Sequence, residues 1–203
     1  MKKKETLNKI IITLVSIASL LFLFFGNHET GLYKTLIILS IIPVMLLPYL
    51  FEKITKIEIE PIIKTLYLVF LFFAYFLGSI INFYYIIKPY DKIMHFISGV
   101  VTAFLALIIL VKIKKYDAKH PWFNILFMIL VTLAIASLWE FFEFTNDNIF
   151  GKDAQKVLTT GVDDTMGDMI AAFIGSVLLS ILYKVELATH KKLFVTKFLE
   201  KLN

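Results

Sequence analysis

The chain has 203 residues, 59% of them hydrophobic and only 18% charged. That balance excludes an ordinary water-soluble domain and points to a membrane protein folded as one helical bundle. The net charge of +5 is carried by lysine without a single arginine, and there is no cysteine. The basic balance therefore reads as membrane topology rather than nucleic-acid binding, and disulfides, thiolate metal sites and a cysteine nucleophile are excluded.

The N-terminal stretch MKKKETLNKIIITLVSIASLLFLFFG is laid out like a signal peptide. Its apolar core is too long for one, and no small-x-small cleavage site follows. The expectation is an uncleaved first span over residues 8–26. A second span, 32–51, contains Pro43 and Pro48. Each removes an i to i−4 hydrogen bond, which makes either a kink or the broken helix of a transporter site. Further spans are expected over 62–87, 92–111, 122–144 and 165–183. A helix needs about 20 apolar residues to cross a bilayer, and runs this continuously apolar satisfy their backbone only as helices. The fold class is thus an all-α integral membrane protein with about six transmembrane helices.

Lysines collect on the cytoplasmic side of membrane proteins. With the N-terminus inside, sixteen lysines fall on inner segments and five, Lys34, Lys88, Lys92, Lys152 and Lys156, on outer ones. Both termini are then cytoplasmic. The domain reading is a single six-helix transmembrane domain over residues 1–184 and an amphipathic tail helix over 185–203. In that tail Phe194, Val195, Phe198, Leu199 and Leu202 share a face, with Lys191, Lys192, Lys197 and Lys201 elsewhere. It lies along the inner leaflet or extends into solvent.

This topology draws Asp91, His95, Glu140, Glu143, Asp163, Asp164 and Asp168 to the outer membrane face. Asp91 and His95 are i,i+4, as are Asp164 and Asp168, while Glu140 and Glu143 are i,i+3, so each helix presents a pair in one direction. Taken singly, Asp91 and Asp164 read as N-caps, His95 as a structural histidine and Asp163 as solvated. Glu140 and Glu143 resist that treatment. They sit among Trp139, Phe141, Phe142 and Phe144, in the expected last turn, where the macrodipole disfavours carboxylates. Charges at membrane depth face a partner or a cavity. The offsets on offer are Lys92, a cationic His95, protonated carboxyls or one divalent metal ion held among Asp91, His95, Glu140, Glu143, Asp164 and Asp168. Such a donor set suits zinc, manganese or iron, and its oxygens suit magnesium or calcium. There is no HExxH. The remaining histidines, His28, His120 and His190, lie in loops or the tail.

The three elements DKIMHFISG, WEFFEF and DDTMGDMIAAFIG resemble the YjdF family of predicted bacterial membrane proteins, a domain of unknown function. They are similar, more distantly, to VanZ-like proteins, some of which are associated with glycopeptide resistance. VanZ-like proteins usually carry Glu then Gln in the second element and Asp before Asn in the third. This chain has Glu143 and Ala172 at the nearest positions. The resemblance implies a multi-pass protein of the bacterial cell membrane, with Asp91, Lys92, His95, Trp139, Glu140, Glu143, Asp164 and Asp168 as family positions. It implies no reaction.

Three functions stay open. One is a metal-dependent or acid–base enzyme acting on a lipid or a lipid-linked envelope precursor, with Glu140 or Glu143 as base and His95 in the catalytic set. A second is a non-catalytic accessory or scaffold protein whose polar cluster locks helices together. The third is an ion- or proton-coupled transporter, which predicts polar residues continuing across the membrane. Asn82, Thr102, Thr132 and Ser137 are few and uncharged. Membrane lipids are the expected partners, nucleic acid is not, and residues 145–164 form either a lid or a passive connector.

Overall fold

Backbone that water cannot reach must bond to itself, and in the computed structural model of this chain every described element is a helix. The structure describes residues 2–26, 31–191 and 193–202; His28 and Lys192 fall outside them. The order is α1 Lys2–Phe25, α2 Leu32–Thr55, α3 Pro61–Leu71 running on into a π-helix Phe72–Ile80, α4 Phe83–Ile86, α5 Tyr90–Lys112, α6 Pro121–Phe150, α7 Val157–Thr160, α8 Asp163–Thr189 and α9 Val195–Glu200. Among the described residues six helices are long and apolar enough to cross a membrane: Lys3–Phe25, Leu32–Thr55, Pro61–Ile80, Tyr90–Lys112, Pro121–Phe150 and Asp163–Thr189. The helical, six-span class expected from the sequence is the one observed. The chain divides into two compact units, Met1–Tyr90 and Asp91–Asn203.

In the first unit, α2 runs unbroken through Pro43 and Pro48. The third span ends at Ile80, short of the expected 87. Its last turns are wound as a π-helix, with the Ile81 amide donating to the Phe76 carbonyl at 2.9 Å. Asn82 then turns left-handed at φ 69° and starts the short α4. The reversal lays the Tyr84 ring where a Cβ on Gly78 would sit, at 2.3 Å. The core is Val15, Ile38, Ile41, Met45, Leu68, Leu71 and Ile80. Lys64, counted from the sequence among the inner topology lysines, is instead 3% exposed. It is paired with Glu5 and, at 3.1 Å, with Glu52. Asn8, on α1, donates to the Pro61 carbonyl at 3.0 Å and accepts from Thr65 at 2.6 Å. This polar knot ties α1, α2 and α3 together.

In the second unit, α6 lies along α8, and α5 crosses α8 backbone to backbone. A Cβ on Gly99 would stand 2.0 Å from the Ala172 carbonyl oxygen, and one on Gly175 would stand 2.2 Å from that of Phe96. Lipid supplies no hydrophobic drive between helices, so small residues that admit close contact set such crossings. Gly99 is one turn from His95, and Ala172 one turn from Asp168. The crossing therefore decides which carboxylates face which bases. Thr102 and Thr132 meet at 3.1 Å and join α5 to α6.

Helix α8 continues to Thr189, and the short α9 folds back with Val195, Thr196 and Leu199 buried. Phe104 of α5 packs against Phe194 and Phe198, ring centres 5.4 and 5.1 Å away. The buried Glu186 carboxylate accepts the Phe194, Val195 and Thr196 amides at 2.8–3.0 Å. It thereby satisfies donors that a helix start otherwise leaves bare.

Replacing Gly99 with leucine forces α5 away from the Ala172 carbonyl. The expected result is a loss of about 1–3 kcal/mol or more, the usual range for overpacking, read as a lower unfolding midpoint in detergent. Ser98→Leu, one residue away on the half-buried side, serves as the control and shifts the midpoint less.

Candidate functional site

The site begins with where helices start and stop. Helix α6 does not end at Phe144, as expected, but at Phe150, where Gly151 turns left-handed and its amide returns to the Asp147 carbonyl. Thr145 and Asn148, which read as loop, instead bond back to the carbonyls four residues earlier, at 2.7 Å each. Glu140 and Glu143 therefore lie well inside the helix, and the end of the macrodipole does not act on them. At α5 and α8 the expected N-caps are also displaced. Helix α5 starts at Tyr90, with Asp91 already in its first turn, and α8 starts at Asp163 behind Val162, which makes no side-chain cap. Asp91 and Asp164 are thereby free to bond across helices. Asp163 is exposed, as expected for a solvated group.

What they bond is a closed ring of alternating charge. Lys92 Nζ donates to Asp164 Oδ1 at 2.7 Å and to Asp168 Oδ1 at 2.8 Å. Asp168 faces His95 Nε2 at 3.6 Å, and His95 faces Asp91 Oδ1 at 3.6 Å. The ring closes through Lys156, whose ammonium pairs with Asp91 Oδ2 and, at 3.1 Å, with Asp164 Oδ2. Each acid thus lies between two bases. Of the four lysine links, three are hydrogen bonds and the fourth, Lys156 to Asp164, is an ion pair; the two histidine links are longer than a hydrogen bond and attract only when the imidazole is protonated. Gly167 makes room for this. A Cβ there would sit 3.0 Å from Lys92 Cε, so the lysine stem lies over the glycine between its two aspartates.

Lys156 and Gln155 come from the segment read as lid or connector. The Asp147 carboxylate accepts the Ala154 and Gln155 amides at 2.7 and 3.1 Å and pins the turn. Lys156 itself is left-handed, at φ 53°, which costs a non-glycine residue about 1–2 kcal/mol. Burial works against its charge, and the hydrogen bonds and charges of Asp91 and Asp164 more than reverse that, holding the ammonium above the usual lysine range. The sequence reading grouped Lys156 with the same face as the acids but assigned it no role. The signal was arithmetic: three aspartates and Lys92 leave a deficit that a second outer lysine fills.

Glu140 stands beside the ring. Gln155 Nε2 donates to Glu140 Oε2 at 3.1 Å and contacts Thr165 Oγ1 at 3.3 Å, which links α6 to the start of α8. Glu140 is only 4% exposed, and its other oxygen, Oε1, has no hydrogen-bond partner among the described residues. It lines a cleft of about 490 Å3 together with Ser137, Phe141, Phe144, Gln155, Thr165 and Met169. Glu143, three residues on, accepts a 2.9 Å hydrogen bond from Trp139 Nε1. Among the described residues, the donors close enough for one metal ion are Asp91, His95 and Asp168, all within 4.8 Å of one another. Glu140, Glu143 and Asp164 are outside that trio. His120 pairs with Asp117 beyond the other end of α6, and His190 ends α8, so neither approaches the ring.

Residues 9–188 match the family described as "Predicted membrane protein (DUF2238)", and the chain belongs to that family. A curated protein of Thermotoga maritima, named only as uncharacterized, is 35% identical over 129 residues. That match covers 63% of this chain and 65% of the relative, so the chain spans just under two thirds of that protein's length. No solved structure matches.

Lys156→Met leaves Asp91 and Asp164 each short of a partner. The expected loss is about 1.5–3 kcal/mol, the scale of hydrogen bonds to charged groups, with Lys156→Arg retaining most of the stability. Because the folded pKa of Lys156 is raised, its contribution is complete below the unfolded lysine value of about 10.4 and fades only as pH rises through the higher folded value. Denaturant titrations of wild type and Lys156→Met are therefore expected to differ by a constant amount from about pH 6 to 9 as far as this lysine is concerned.

Proposed function

We propose that this member of the DUF2238 membrane family is an acid–base enzyme of the bacterial cell membrane. It acts on a lipid or lipid-linked envelope precursor, with Glu140 as the proton acceptor. One observation carries the reading. Every charged group of the ring has a partner, whereas Glu140 is buried, half-satisfied and set in the wall of a cleft. A buried polar atom left without a partner costs about 1–3 kcal/mol, and such atoms mark places where a missing ligand or a chemical role is the explanation. The cleft is of ligand size and its walls are mainly apolar. Apart from Gln155, its residues belong to helices long enough to span a membrane, and Phe141 and Phe144 are exposed, which favours an amphiphile entering from the bilayer.

In this reading the parts have separate tasks. Gln155 orients the Glu140 carboxylate through Oε2 and leaves Oε1 toward the ligand. Thr165 offers a hydroxyl beside it. The ring of Lys92, Asp168, His95, Asp91, Lys156 and Asp164 fixes the start of α8 and the Gln155 turn, so that the carboxylate is held in place before a ligand arrives. Glu140 takes a proton from the attacking group and returns it to the leaving group. The lysine distribution places this end of the unit on the outer side. The resemblance to YjdF-type and VanZ-like proteins supports the same residues as the site, without naming a reaction.

A second reading rests on the donors of Asp91, His95 and Asp168. One divalent ion fits that trio in kind, two carboxylates and an imidazole. It would displace Lys92 from Asp168 and Lys156 from Asp91, since both ammonium groups already compensate those oxygens.

The test is conversion of lipid by the purified protein in proteoliposomes made from a bacterial membrane extract, followed by mass spectrometry of the lipids. A product formed by wild type and reduced at least a hundredfold in Glu140→Gln is expected. No product from any folded sample overturns the enzymatic reading and favours the accessory role. Elemental analysis of the same preparations decides the second reading: a stoichiometric metal lost in Asp168→Ala establishes it.

A further inference from the structure

The cleft beside Glu140 has a chemical preference that follows from what lines it. Its polar groups are the Glu140 carboxylate, the Gln155 amide and the hydroxyls of Ser137 and Thr165, and no lysine is among the lining residues. The Ser137 hydroxyl is used on its own helix, donating to the Leu133 carbonyl at 2.9 Å. The Gln155 amide is spent on Glu140 and Thr165. What remains is one buried acceptor, Glu140 Oε1. Two other buried side-chain atoms lack partners among the described residues, Tyr49 Oη and Asn124 Oδ1, but neither lines the cleft.

Charge points the same way. Around this end of the unit the buried acids are Asp91, Asp164, Asp168 and Glu140, and the ammonium groups paired with them are Lys92 and Lys156. Four carboxylates face two ammonium groups, and even a protonated His95 leaves an excess of negative charge. Both lysines are bound to aspartates, and neither bonds to Glu140. An incoming phosphate or carboxylate meets a carboxylate with no free cation beside it. An incoming ammonium supplies both the missing N–H donor and the missing charge, and such charge-assisted bonds are about twice as strong as neutral ones.

We propose that the cleft binds the protonated primary amine of an aminolipid, its N–H directed at Glu140 Oε1 and its chain lying along Phe141, Phe144 and Met169. This deepens the acid–base reading and rests on it: the bound ammonium is the acid whose proton the Glu140 carboxylate accepts, leaving a neutral amine and a carboxylic acid. A hydroxyl satisfies the donor requirement but not the charge. A quaternary ammonium satisfies the charge but has no N–H.

Those two distinctions define the experiment. The purified full-length protein in detergent is titrated with short-chain phosphatidylethanolamine, phosphatidylcholine, phosphatidylglycerol and free ethanolamine, and binding is read by native mass spectrometry and by the shift in unfolding midpoint. Phosphatidylethanolamine is expected to bind at least about tenfold more tightly than each of the others. Glu140→Gln keeps the shape of the side chain and is expected to abolish that preference. Met169→Trp narrows the cleft away from the carboxylate and is expected to weaken phosphatidylethanolamine with Glu140 intact. Equal binding of the three phospholipids, preference for phosphatidylglycerol, or free ethanolamine matching the lipid each overturns the proposal. The two readings fail separately. Glu140-dependent lipid conversion without an amine preference sinks the aminolipid and leaves the enzyme standing. An amine preference without conversion supports the aminolipid site and removes the enzyme.

Discussion

Everything at the Asp91 end of the second unit depends on one constraint: acids and bases set near the ends of membrane-spanning helices cannot stay unpaired. Water is scarce there, and an isolated charge costs a few kcal/mol even on the most lenient scales. The chain meets this with alternation. Lys92, His95 and Lys156 are interleaved with Asp91, Asp164 and Asp168, so each acid has a base on both sides. Removing any member leaves two neighbours exposed, which makes the ring cooperative rather than a sum of pairs. It also ties α5 to α8 and to the segment just before α8, which lie more than 60 residues further along the chain.

The ring is set in register by an apolar feature, the contact of α5 with α8 through Gly99 and Gly175. Backbone approaching backbone at these points leaves no slack; His95 stands one helical turn from Gly99, and Asp168 one turn from the Ala172 that Gly99 meets. Electrostatics alone does not choose between rotations of a helix, because a lysine stem can reach several carboxylates. Close packing does choose, since a sub-ångström shift there costs van der Waals contact along the whole crossing. A different knot, Lys64 with Glu5 and Glu52, ties the helices of the first unit. There too a buried ammonium is shared between two glutamates from different helices.

Against this background of satisfied charges Glu140 is the exception. It shares Gln155 with the ring's supporting turn, yet one of its oxygens has no partner among the described residues, and the residue lines a cleft. A fully closed polar network locks helices and does nothing more, whereas a network with one acceptor left open beside a ligand-sized space has somewhere to act. Glu143, similar in sequence, has a different environment: it turns to Trp139 on its own helix. Residues at i,i+3 share a helix face, so what distinguishes the two glutamates is the partner each takes, Gln155 for Glu140 and the Trp139 indole for Glu143.

The sequence by itself determined the helical membrane class and the approach of Asp91, Lys92, His95, Asp164 and Asp168. Run length, backbone satisfaction and i,i+4 spacing are local properties that a string of residues displays. It misplaced helix ends wherever polar residues continued a helix, as at Thr145 to Asn148, because side chains that bond back to their own turn look like loop. It also treated Asp91 and Asp164 as caps, since a lone aspartate near a helix start has the same local pattern whether it bonds its own amides or a distant lysine. Only the tertiary structure decided that Lys156 closes the ring, that Gln155 holds Glu140, that Glu143 stands apart and that the tail folds back under Glu186. The pairing of Lys156 with Asp91 and of Gln155 with Glu140 joins different pieces of chain, and spacing along one helix carries no record of how such pieces meet.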